Sequence, residues 1–336
     1  MVQCYLFSIH CVYYLAPAFR NLPVMSTSKR PRITIIGDIG IDLVMGPIDQ
    51  WPAVGTETLM DRSELRAGGS GGNAAMALRA LGAPCKLIAQ HGDDPLGHWL
   101  AAQFSGMDAS LTEIPGSTTS LSVGIIHACG ERSFLTTRGH LERADWPQLR
   151  SRLELRPPAR SIALLTGAFL MPQLTAHYDQ IIEQLHNAGY RVAIDTGWPS
   201  GGWSAPLRAR ALRWLQGCDH VLLNEAEIAA LANEPDLRSA MLSLAQTMPP
   251  HASLVAKMGA KGAMALHDTH FHVHGAPVAS VFDTIGAGDA FNAGYLESRL
   301  QDDDAPKSLR AGCTAATTII ARFPRRHIAP GELRRA

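Results

Sequence analysis

The chain has 336 residues, 46% of them hydrophobic and 18% charged, which is enough apolar material for one large core or two modest ones. Its 30 Lys and Arg balance 30 Asp and Glu, so no net field draws it to nucleic acid or an anionic membrane, and a small-molecule ligand is expected. The six cysteines (Cys4, Cys11, Cys85, Cys129, Cys218, Cys313) form no Cys-x-x-Cys pair, which argues against a zinc site or a disulfide framework and fits a reducing, cytoplasmic home.

Residues 4–19 are rich in apolar and aromatic types and end in Ala16-Pro17-Ala18, yet the first basic residue, Arg20, follows the run instead of preceding it. An export signal carries its positive segment first. His10 and Pro17 also interrupt a run already short for a membrane span. Met25 is the expected start, with residues 1–30 an N-terminal extension, disordered or not native, and residues 31–330 the working domain.

From Arg32 onward the pattern alternates. Arg32-Ile-Thr-Ile-Ile-Gly-Asp38 reads as a buried first strand closed by glycine, and similar short runs recur at Lys86-Leu-Ile-Ala, Ile162-Ala-Leu-Leu, Val192-Ala-Ile-Asp195, His220-Val-Leu-Leu223 and Leu254-Val-Ala-Lys257. Helix-like stretches lie between or after them, at 73–81, 172–187, 206–216, 225–232, 286–298 and 308–321. Strand alternating with helix predicts an α/β fold whose mostly parallel sheet carries helices on both faces. Two regions break the rhythm, 42–66 and 118–139. In the second, Leu121-Ser-Val-Gly-Ile-Ile and Arg132-Ser-Phe-Leu-Thr-Thr look like paired strands of a small separate sheet.

The strongest chemical signal is Asp283-Thr-Ile-Gly-Ala-Gly-Asp-Ala-Phe291, a glycine-rich turn running straight into a helix. Gly286, Ala287 and Gly288 let backbone N–H groups converge on an anion, and the helix N-terminus adds its positive end. Asp289, in the first turn, is placed to accept the proton of an attacking hydroxyl during phosphoryl transfer. Taken alone, a capping aspartate after a glycine turn explains the segment as well. A second cluster, Ala67-Gly-Gly-Ser-Gly-Gly-Asn-Ala-Ala75, opens another helix, where bare backbone admits a ligand and Asn73 offers both a donor and an acceptor. The preceding Arg62-Ser-Glu-Leu-Arg66 does not read as the buried strand that a dinucleotide fingerprint needs, and no Gly-x-x-x-x-Gly-Lys-Ser/Thr loop exists.

The combination decides. With Gly68-Gly69-x-x-x-Asn73-x-Ala75 and Leu81-Gly82 early, and Asp283-Thr284-x-Gly286-Ala287-Gly288-Asp289 late, the sequence resembles the ribokinase-like, or phosphofructokinase B type, carbohydrate kinases over about residues 32–322. The resemblance implies a ribokinase-like α/β domain with a β lid at about 43–66 and 118–139, and transfer of the γ-phosphate of MgATP to a sugar-like hydroxyl. Asn224 and Glu227 resemble the family's Asn-x-x-Glu element, which organises Mg²⁺ indirectly, although an N-cap with its capping-box Glu gives the same pattern. Lys257, Gly259 and Gly262 look like the nucleotide loop, and Asp283 and Thr284 join the ATP site. Asp42, then Asp38, are the expected sugar ligands beside Gly68, Gly69 and Asn73. A homodimer through the lid is a further implication.

Two departures stand out. Ile285 occupies a position that is often Thr, and 321–326 lacks a glycine common beside the monovalent-cation site, so the resemblance leaves potassium activation open. His267, His270, His272 and His274 mimic a metal cluster, but a solvated strand face is the simpler account. Rival readings are a nucleoside kinase of the same fold, a catalytically silent sugar-binding module, and an oxidoreductase. The last fails at Gly37-Asp38-Ile-Gly40, which offers no Gly-x-Gly-x-x-Gly.

Overall fold

The structure is a computed structural model describing residues 30–128 and 132–322. The expectations for the first 24 residues, the start at Met25 and the segment 323–326 with its monovalent cation fall outside those residues.

Thirteen strands form two sheets among the described residues. In chain order they are β1 (Ile33–Ile36), β2 (Gly40–Ile48), β3 (Arg62–Gly68), β4 (Cys85–Gly92), β5 (Asp108–Ile114), β6 (Leu121–His127) and β7 (Arg132–Thr136), followed by β8 (Ile162–Thr166), β9 (Arg191–Asp195), β10 (His220–Asn224), β11 (Ser253–Lys257), β12 (Ala263–His267) and β13 (His270–His274). The large sheet runs β13-β12-β11-β10-β9-β8-β1-β4-β5. Every pairing from β11 to β5 is parallel, and β12 and β13 close the edge antiparallel.

Burial on both faces explains the near-continuous apolar strands. Ile33 and Ile35 point into one core cluster with Leu164 and Leu222, whereas Ile36 joins the other with Leu165 and Leu223, the period-two alternation of a covered sheet. Helices seal both layers. Among them Ser70–Leu81 ends at Gly82 in the left-handed conformation (φ 67°), and Ala287–Leu300 packs beside it and beside Ala305–Ile320.

Three predictions need correcting. The expected helix over 172–187 is two helices, Pro172–Thr175 and Tyr178–Ala188. Thr175 turns its hydroxyl back onto the Met171 and Pro172 carbonyls, competing with the helical ladder there. The helix Pro95–Gln103 and β5 and β12 were not predicted at all. β12, Ala-Met-Ala-Leu-His, has no β-branched residue and is a strand because it folds back on β11. The third concerns the lid, expected from about residue 43: β2 begins at Gly40, so Asp42 lies within the small sheet.

That small sheet, β3-β2-β6-β7, forms the lid. It covers the predicted irregular regions, and β6 pairs with β7 antiparallel as expected, from Ser122↔Thr136 to Ile126↔Arg132. The histidine-rich β13 is the edge of the large sheet, and among the described residues its histidines do not converge as metal ligands.

Candidate active site

Three neighbouring parallel strands end in polar residues. Asp195 closes β9, Asn224 closes β10 and Lys257 closes β11, with Asn224 and Lys257 in register. The chain leaves β1 toward β4 on one side and returns through β8 on the other, so the carboxyl ends around β1 form the crevice where open α/β sheets take ligands.

Across that crevice lies the turn 283–289. Gly286 adopts the left-handed conformation (φ 73°) and caps the Ala287–Leu300 helix, whose first turn carries Asp289. Asp283 accepts the Ile285 N–H at 2.9 Å, which folds the turn before the glycine. Behind it, the Lys257 ammonium lies 3.4 Å from where a Gly288 side chain would begin, so Gly288 leaves that charge beside the helix start.

Asp289 accepts a 3.0 Å hydrogen bond from the Asn73 amide, which joins the two glycine-rich helix starts. Burial pushes its carboxyl up to about 8 and the Asp195 charge adds to the rise, against the opposing pull of Asn73 and Lys257. Lys257 donates to Asp195 at 2.6 Å and to Asn292 at 3.3 Å, and Asn292 also donates to Asp195 at 2.5 Å. Burial works against the Lys257 charge, but Asp195 and Glu227 outweigh it and raise its pKa. One cation thus sits among three carboxylates, those of Asp195, Glu227 and Asp289.

Asn224 and Glu227 form a reciprocal capping box, each side chain taking the other's backbone N–H at 2.8 Å. Burial raises Glu227 to about 7, with Asp195 contributing. Gly259 and Gly262, both at positive φ, shape the tight turn from β11 into β12. A side chain at Gly262 would begin 2.0 Å from the His274 carbonyl.

Asp38 and Asp42, the two carboxylates predicted to bind the acceptor, have different surroundings. Both Asp38 oxygens accept helix amides, from Ser70 at 3.0 Å and Gly71 at 3.1 Å, so the residue anchors the Ser70–Leu81 helix from within the core. Burial raises its pKa in spite of those bonds. Asp42, 6% exposed, lies against Gly68, where an added side chain would begin 2.1 Å from its carboxylate. Gly68 is therefore a glycine because Asp42 needs its space. Gly69 is one because its would-be side chain meets the Asp38 carbonyl at 2.8 Å, so this glycine serves close packing as much as ligand approach.

Several residues around the site escaped the sequence reading. Asp195 was seen only as the end of a strand, though its place at a parallel strand's carboxyl end was a usable signal. Asn292 was hidden in the middle of a helix. Arg62, Arg66 and Arg132 of the lid all contact the 282–284 segment, and nothing local in the sequence announces those partners.

Comparison with known proteins fits this geometry. The pfkB family carbohydrate kinase model matches residues 30–327, and the chain belongs to that family. It is 31% identical to a fructokinase of Salmonella typhimurium over 69% of this chain and 76% of the relative, and 23% identical to a ribokinase of Arabidopsis thaliana over 90% and 79%. The adenosine kinase structure from Sinorhizobium meliloti superposes with a TM-score of 0.75 at 21% identity, covering 92% of this chain and 99% of that one. The fold is ribokinase-like, and the protein is an ATP-dependent kinase of sugar-like substrates. No described helix is long and apolar enough to cross a membrane.

Proposed function

We propose that the 31–330 domain moves the γ-phosphoryl group of MgATP to a sugar hydroxyl with Asp289 as general base. The observation that carries this reading is Asp289 in the first turn after Gly286-Ala287-Gly288, with a carboxyl raised to about 8. A base near the working pH is efficient. Asp289 takes the hydroxyl proton as the oxygen attacks phosphorus, the bond to the ADP oxygen breaks, and the proton stays on the carboxyl until product leaves. The backbone N–H groups of the turn and the helix N-terminus meet the charge on the transferring group.

Lys257 supplies a positive charge beside the same helix start, held there by Asp195 and Asn292. Asn224, Gly259, Gly262, Asp283 and Thr284 border the nucleotide, Asp283 and Thr284 through their backbone because their side chains are spent on the lid. Oxygen donors from Asp195 and Glu227 suit a hard cation, and bound Mg²⁺ would neutralise phosphate charge. The acceptor is held by Asp42, with Gly68, Gly69 and Asn73 around it, and Asp38 shapes that wall from behind. The reading includes a cytoplasmic location and a homodimer through the lid's outer face, where Leu65 and Leu135 are exposed.

The test is ADP release from MgATP by the purified protein against hexoses, pentoses, keto-deoxy sugar acids and nucleosides, with and without Mg²⁺. One sugar should stand far above the acceptor-free rate and lose its advantage without the metal. ADP release that no acceptor stimulates contradicts the proposal.

A further inference from the structure

Each residue of the segment 282–285 holds a piece of the lid. Arg62 of β3 donates to the Phe282 carbonyl at 3.2 Å and lies over its ring, 5.6 Å from the centroid. Arg66 of β3 forks onto both Asp283 oxygens at 3.3 Å, and its Nη1 also donates to Glu64 at 3.4 Å. Arg132 of β7 donates to the Thr284 hydroxyl. Ile285 is buried with Val44 of β2 and Ile126 of β6, and it lies so close to Gly124 that a side chain there would begin 2.9 Å from its methyl.

From this we infer that residues 282–285 are a latch through which the lid sets the conformation of the anion-binding turn, with Arg66 as its main positioning residue. Arg66 stands directly opposite Asp42 in the β2–β3 register, so the strand pair that carries the acceptor carboxylate also carries the clamp. Asp283, which Arg66 grips, is the residue whose carboxylate folds the turn onto the Ile285 N–H, one residue before Gly286. A shift of β3 is thereby a shift of Asp283, and with it of the amides at 286–289. Glu64, Arg66 and Asp283 are each about 95% buried, so the fork is shielded from water and its direction is fixed by geometry. Arg132 and Arg62 repeat the connection nearer solvent. The departure at Ile285 fits the same role, because an apolar side chain there seats the lid where a hydroxyl would not.

The inference rests on the kinase reading for its consequence: acceptor binding under the lid and nucleotide binding at the turn become energetically linked, and the linkage is reciprocal. It is tested without any acceptor, by hydrogen exchange on the full chain with Mg²⁺ and the non-hydrolysable analogue AMP-PNP. In the wild type the nucleotide should slow exchange in residues 283–289 and also, by at least about threefold, in 62–68 and 132–136. Arg66→Gln should keep the protection at 283–289 and lose the nucleotide-dependent gain in both lid strands. Arg66→Lys, which keeps charge without the fork, should restore part of it. Were Arg66 merely a stabilising contact, its loss would lower exchange protection with and without nucleotide alike and leave the nucleotide-dependent gain in place.

Should Arg66→Gln fail to fold, the Arg62→Ala/Arg132→Ala double variant, altered nearer solvent, replaces it and should lose at least about half of the lid gain. Lid protection retained in full by either variant overturns the latch, as does a wild type in which nucleotide protects the turn and leaves the lid unchanged. A wild type in which the analogue protects neither region removes the nucleotide reading itself, and the latch with it.

Discussion

The turn proposed to hold phosphate and the lid are built from different parts. Around 283–289 the chain uses consecutive residues and its own backbone: a left-handed glycine, a helix start and one carboxylate in the first turn. The lid uses side chains whose partners are far away in sequence, such as Arg66 and Asp283, 217 positions apart. Anion binding by backbone amides has one local solution, which glycine spelling makes readable. Gripping an acceptor has many solutions, each distributed over strands that meet only in the folded chain.

This contrast predicts separable defects. The larger loss away from the turn concerns Asp42, whose carboxylate can take two adjacent hydroxyls. Asp42→Ala should cost about 2–4 kcal/mol in kcat/KM for the acceptor while leaving KM for ATP unchanged, as expected when polar groups in a closed pocket lose their partner. Steady-state kinetics with each substrate varied in turn would check it. Equal losses in both terms would break the division between lid and phosphate end.

A smaller effect lies in stability. The Asp289 carboxyl is raised to about 8 in the fold against an ordinary 3.8, so between those values the folded chain holds a proton that the unfolded chain has released. Folding then takes up a proton, and stability falls as pH rises through that window. Asp289→Asn removes the charge that the cleft disfavours and should stabilise the protein by on the order of 1–3 kcal/mol at pH 8, with little gain at pH 4. Denaturant titration at the two pH values would show it, and a constant difference would mean that Asp289 does not titrate there.

The smallest effect should be a pH shift. Asn73 donates to Asp289 and so favours its ionised form. Asn73→Ala should move the rising limb of kcat/KM for the acceptor, expected near pH 8, upward by roughly 0.5–1 unit. An unmoved or lowered limb would separate the two glycine-rich helix starts functionally, although the structure joins them.

How much of this was readable follows from the same contrast. The parallel strands inside the sheet declared themselves as short apolar runs because they are buried on both faces, whereas the partly exposed edge strand β5 did not, and the two glycine signatures located both helix starts. β12 was invisible since its conformation comes from pairing with β11, not from its own residues. The lid's extent was readable only as a break in rhythm, which set its start near residue 43 when β2 begins at Gly40 and contains Asp42. Asp38 and Asp42 look alike four residues apart. Only the packing shows one turned to the Ser70 and Gly71 amides and the other pressed against Gly68. Asp195 stood in the sequence as a strand end, but Asn292 needed the fold, which alone brings the two together at Lys257.

The central claim is that Asp289 removes the acceptor proton, and single-turnover phosphoryl transfer by Asp289→Asn tests it most directly. Once the panel has identified the acceptor, transfer from MgATP should fall by roughly 10²–10⁴-fold, with the affinity for nucleotide nearly unchanged and the wild-type rise in rate toward pH 8 abolished. Transfer within a few-fold of wild type, with the same pH profile, would contradict the account and place the base elsewhere.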